Sequence, residues 1–167
     1  MAKYPGGNLV KLSPSDLVGA AYTAQDVIFA KAELKNAVSS RGGCSLLRTA
    51  TMFVEGAAAD DDLILLFFDN STDLGEPAAD PSTDVTAVEF RAASCIGALK
   101  WDGTSATDVG TGLLYTCGDN MHNQNSVFVK AADGETSIWV ACIQYAGTLD
   151  LTDTDSITCT FGFEYID

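Results

Sequence analysis

Apolar residues in this chain fall into short runs, many with a period of two, separated by glycine, proline and aspartate. From Ser45 to Val54 the side chains are mainly β-branched, aromatic or aliphatic, and from Leu63 to Phe68 they are continuously apolar between flanking aspartates. Both runs predict strands of a sandwich core. In Ile157 to Tyr165 the alternation is strict: Ile157, Cys159, Phe161, Phe163 and Tyr165 share one face, and Thr158, Thr160, Gly162 and Glu164 the other. That strand has one buried and one wet side. Ser137 to Tyr145 differs, with Ile138, Val140 and Cys142 on one face and Trp139, Ala141, Ile143 and Tyr145 on the other. Both of its faces want cover, one from the opposite sheet and one from a helix, a loop or a partner subunit.

Shorter strands are predicted at Gln25 to Phe29, Cys95 to Trp101, Leu113 to Cys117 and Ser126 to Lys130, with turn chemistry at Asp102-Gly103, Gly110-Thr111-Gly112 and Asp133-Gly134. Ala30 to Val38 contains helix formers but is read as strand. After Asp69 comes a polar loop, NSTDLGEPAADPSTD, then a short helix from Val85 to Ala93 capped by Ser82 or Asp84. The sum is about eight antiparallel strands in two sheets. Residues 1–21, with Pro5-Gly6-Gly7 and Ser13-Pro14-Ser15, have few large apolar side chains and read as an extended N-terminal arm; residues 22–167 read as one domain.

Length changes little in this picture, because 167 residues bury a core that needs no metal or disulfide. Five cysteines are an odd number, and Cys95, Cys142 and Cys159 lie in apolar runs, where a reduced thiol acts as a small hydrophobe. No run is long enough to span a membrane, and MAKYPGGNLVKLSPSDL lacks the apolar block of a secretion signal, so assembly in the cytoplasm is expected. Charge is more informative. With 23 acidic and 9 basic residues, nucleic acid and anionic membranes are poor partners. Residues 1–50 hold six basic and three acidic residues, a net +3, whereas residues 51–167 carry −17. One end can therefore dock on an acidic neighbour while the body repels its own copies, or the acidity simply keeps the chain soluble.

Catalytic chemistry finds little support. His122 follows Cys117 by five positions in a polar loop, but sequence neighbours seldom form a Cys/His dyad and no oxyanion-hole glycine pattern flanks them. Zinc would need two further donors, and no C-x-x-C occurs. Asp69-Asn70-Ser71-Thr72-Asp73 begins like a calcium loop, yet Leu74 stands where glycine is needed and Asp80 where the closing glutamate belongs. An Asx-rich turn explains it equally well. Asp60-Asp61-Asp62 and Asp150, Asp153 and Asp155 read as surface acids, and Trp101, Tyr115, Trp139, Tyr145 and Phe161 read as core before they read as a sugar platform. No catalytic residue, metal ligand or cofactor is assigned.

The order of segments carries a further signal. The N-terminal arm, the stretch with Tyr22, Ala24, Asp26, Val27 and Ile28, the strand entered through Arg41-Gly42-Gly43, LILLFFD, a Pro/Asp loop and a Cys-Ile-Gly strand resemble the capsid decoration (cement) proteins of tailed bacteriophages. The resemblance covers roughly residues 22–101, and more loosely 138–165. It implies a jelly-roll-like β-sandwich, a non-enzymatic virion protein on the capsid exterior, contacts to major capsid subunits and sister copies, and a homotrimer. Docking is expected at Lys3, Lys11, Arg41 and Arg48 and at the outer-face aromatics Trp139 and Tyr145. Two alternatives remain open: a lectin-like carbohydrate-binding jelly roll, which requires Trp101 or Trp139 to be exposed, and a tail or baseplate component.

Overall fold

The computed structural model describes residues 6–58, 60–71, 74–80, 87–117, 127–152 and 156–166. Its strands are β1 (Gly7–Leu12), β2 (Ala21–Tyr22), β3 (Val27–Leu34), β4 (Cys44–Glu55), β5 (Asp62–Phe68), β6 (Cys95–Trp101), β7 (Thr107–Asp108), β8 (Gly112–Cys117), β9 (Val127–Lys130), β10 (Ile138–Ala146), β11 (Leu149–Asp150) and β12 (Ile157–Ile166). All pairings are antiparallel. One sheet has the order β1-β12-β4-β8-β7, with β9 also paired to β4, and the second has the order β3-β10-β5-β6. The chain alternates between sheets along the principal strands β1, β3, β4, β5, then β6, β8, β10 and β12, except at the β5 to β6 step. This is the jelly-roll order, read directly from the strand pairings.

Alternation dictates the core. On β12, Ile157, Cys159, Phe161 and Phe163 are buried and lie in register with Val54, Met52, Ala50 and Leu47 of β4. Across the sandwich Phe67 of β5 meets Phe161 edge-on, ring centroids 6.0 Å apart at 84°, and Trp101 of β6 meets Tyr115 of β8 at 5.9 Å. Such aromatic pairs hold the two layers at a fixed spacing.

Two expectations change, and a third is settled among its alternatives. Residues 1–21 were expected to hold no packed element, but Gly7–Leu12 is an edge strand in register with β12, with Val10 facing the core. Backbone pairing secures a stretch whose side chains alone signal little. Cys142 and Cys159 are buried as expected, but Cys95, at the start of edge strand β6, is exposed. The outer face of β10 is covered by the chain itself. Trp139, Ala141 and Ile143 pack with Val27, Phe68, Leu74 and Ala93 beneath the segment joining β5 to β6. Val27 N donates to Ala79 O at 2.9 Å, Ala78 N donates to Val27 O at 2.8 Å, and Phe90, from the helix Ala87–Ala92, meets Phe68 edge-on. The proposed caps Ser82 and Asp84 lie outside the described residues.

Candidate functional site: an uncovered sheet face

With the second sheet roofed by its own connector, the first sheet has no such roof on its outer side among the described residues. Its outward positions follow from register. Across β12, β4 and β9 or β8 they form rows: Ile166, Cys44 and Lys130; Glu164, Leu46 and Phe128; Thr160, Thr51 and Thr116; Thr158, Phe53 and Leu114. On β1, Leu9 pairs with Gly162 and Lys11 with Thr160. Leu9 is 60% exposed, Phe128 51% and Ile166 42%, so large apolar side chains stand in water on this face. Arg48 sits where the β4 to β12 register slips by one residue, and its guanidinium bonds the Glu164 carboxylate on this same side.

Of the candidate docking residues, the structure brings Lys11 and Arg48 together on this face. Arg41 lies elsewhere, exposed in the β3 to β4 turn, where Gly42, at φ +68°, donates its N–H to Glu135 O at 2.8 Å. Trp139 is half-buried on the roofed sheet, and Tyr145 is exposed with Lys100 Nζ 3.7 Å above its ring. Lys3 lies outside the described residues. Leu9, Leu46, Phe128, Lys130 and Ile166 were missed. Single outward residues on a wet strand carry no signal until register lines them up in neighbouring strands.

Clefts offer less. One, of about 300 Å³, is lined by Glu33, Asp69, Asn70, Ser71, Glu135, Ser137 and Trp139, and the buried Oδ1 of Asp69 has no hydrogen-bond partner among the described residues. Another, of about 350 Å³, is lined by Gly56, Gly103, Thr104, Asp108 and Gly112 among others. No group of three or more His, Cys, Asp or Glu side chains is placed to hold a metal among the described residues, and Thr72 and Asp73 of the calcium-like loop lie outside them. His122 lies outside them as well, and Cys117 accepts a hydrogen bond from Trp101 Nε1 at 2.7 Å while burial pushes its thiol up. A nucleophilic cysteine needs the opposite shift. Trp101 is 4% exposed, which removes it as a sugar platform.

Asp61, expected as a surface acid, is instead buried at the joint between β5 and β10. Its Oδ2 accepts from Ala58 N at 2.7 Å, its Oδ1 accepts from Gln144 Nε2 at 3.2 Å, and its carbonyl accepts from Tyr115 Oη at 2.8 Å. Burial, reinforced by the Asp60 charge, raises its carboxyl above the ordinary range against the opposing hydrogen bonds. No helix among the described residues is long and apolar enough to cross a membrane.

No protein-family model and no curated protein matches the chain. Among solved structures it is similar to a chain of tomato aspermy virus (8% identity, TM-score 0.32, covering 100% of this chain and 81% of that one). A second is from a semi-empty virus-like particle of the Macrobrachium rosenbergii nodavirus (12%, TM-score 0.33, 98% and 96%). A third is Desmodium yellow mottle tymovirus (15%, TM-score 0.29, 98% and 82%). Superpositions this loose leave the jelly-roll assignment resting on the chain's own strand order.

Proposed function

We propose that this chain is a non-enzymatic virion structural protein that works by protein contact, decorating and stabilising the capsid of a tailed phage by binding major capsid subunits and sister copies. The observation that carries the reading is the outer face of the β1-β12-β4-β8 sheet, where Leu9, Phe128 and Ile166 are exposed, on a jelly roll whose interior is filled by side chains. A filled sandwich presents surfaces, and an exposed apolar one outside any cavity suits another protein better than a small molecule. The resemblance in segment order supplies the particle, and the +3 N-terminal third on a −17 body supplies a means of orienting on it. Lys3, Lys11, Arg41 and Arg48 are the proposed docking charges, on a repeating lattice where multiplicity makes modest contacts suffice. Co-sedimentation with purified undecorated heads tests this. Binding should saturate at a fixed copy number and weaken as salt rises; no binding at low salt would overturn it.

A second reading has one observation in its favour: half-buried Trp139 lines the acidic cleft with Asp69, Asn70 and Glu135, donors and acceptors suited to a sugar. If it holds, glycans will shift the fluorescence of Trp139, and Trp139→Phe will abolish the shift. Indole emission that ignores a glycan panel would dismiss it.

A further inference from the structure

We propose that the outer face of the β1-β12-β4-β8/β9 sheet is a two-fold contact between two copies of this chain. The proposal takes from the preceding reading only that this face meets protein.

Charge selects the occupant. A chain of net charge −14 resists its own copies over most approaches, but the outward strand positions of this face carry Lys11, Arg48 and Lys130 against Glu55 and Glu164. On this face copies can meet without acid facing acid over a broad apolar area.

The pattern along β4, β8 and β9 is also self-complementary. Consider a two-fold axis lying in the contact plane and crossing β4 at right angles between Thr49 and Thr51. Two sheets then face each other with strands antiparallel, and each strand lies over its own copy. The row of Leu46 and Phe128 in one protomer falls over the row of Phe53 and Leu114 in its partner, apolar on apolar at both ends. Lys130 at the Cys44 end comes within one strand spacing of Glu55 at the far end of the partner's β4. Thr49, Thr51, Thr116 and Thr160 fill the middle with short side chains that allow close approach. A closed dimer requires a patch that fits itself in this way.

Size agrees. β4 spans twelve residues, and β1, β12 and β8 or β9 flank it. At about 3.4 Å per residue and about 4.8 Å per strand, the residues of β1, β12, β4, β8 and β9 together offer roughly 600 Å². Standard interfaces take about 600–1,000 Å² per partner, so this face reaches the lower end of that range. The phage resemblance implies three-fold association; this face is built for two-fold.

Sedimentation velocity over a wide concentration range tests the proposal, with far-UV circular dichroism and the melting temperature confirming that each variant is folded. The native chain should dimerise reversibly, and Phe128→Glu, at an exposed position, should weaken the dimer by at least about tenfold. Lys130→Glu and Glu55→Lys should each weaken it, and the double swap should restore it. A monomer at every concentration, a trimer, a dimer indifferent to Phe128→Glu, or a double swap without rescue would overturn the proposal. A dimer that binds no phage head would keep this contact and remove the decoration reading.

Discussion

Asp61 shows how a single residue escapes its sequence context. In Asp60-Asp61-Asp62 all three look alike, yet Asp60 is exposed, Asp62 pairs with Lys100 at 3.4 Å, and Asp61 is buried against Gln144. Its raised carboxyl has a definite sign in stability. The folded state holds the proton more tightly than the unfolded chain, so the group stabilises the fold fully below the ordinary carboxylate value, and that contribution is lost as pH climbs through the raised value. Relief of the general acidic repulsion acts in the same direction, so the two are separated by comparison with Asp61→Asn. Urea midpoints of the native chain should climb relative to those of the variant as pH is lowered from neutrality through the ordinary carboxylate value of about 3.9. Parallel curves would show that Asp61 is not the buried titrating group. At Cys159 burial acts on a thiol and pushes it up to about 12, consistent with its role as core filling.

Elements were far easier to read than individual contacts. β4, β5, β10 and β12 were legible because each exceeds six residues and is rich in β-branched, aromatic and aliphatic side chains, with strict alternation along β12. β1 was not, since Gly7 and Asn8 advertise a loop and only pairing with Gly162, Phe163 and Glu164 makes a strand of them. Gly112, read as a turn signal, is the first residue of β8. A methyl group there would fall on the backbone of Val54 and Glu55, so the residue is constrained by close approach between strands. Gly112→Ala should cost about 1–3 kcal/mol in chemical denaturation. Gly134→Ala, at φ +93° with open space around it, should cost only about 1 kcal/mol. Equal stability of Gly112→Ala and the native chain would contradict the close β4 to β8 register.

For the whole molecule, a net charge of −14 sets a repulsion that every fold of this sequence must bear. Salt screens it within about 10 Å at 0.1 M. The melting temperature should therefore rise on going from low to moderate sodium chloride, as followed by calorimetry. A fall would mean that local pairs such as Arg48 with Glu164 outweigh the global field. The candidate face also belongs to this scale. Its charges come from β1, β4, β9 and β12, and its apolar groups from those strands and β8; these elements are separated along the chain by more than a hundred residues at the extremes.

Sequence alone determined that the chain is all-β, where its long strands lie, which side of β12 faces inward, and that the charge is polarised along its length. Those are properties of neighbours two residues apart or of simple counting, and local spacing encodes them. Only the tertiary structure decided which sheet face is roofed, that Gly7–Leu12 joins the sandwich, and that Asp61 is buried. It also decided that Leu46, Phe128 and Lys130 share a surface with Lys11 and Arg48. Each depends on how strands distant in sequence pair and in what register, and that choice is made by the packing of the whole core.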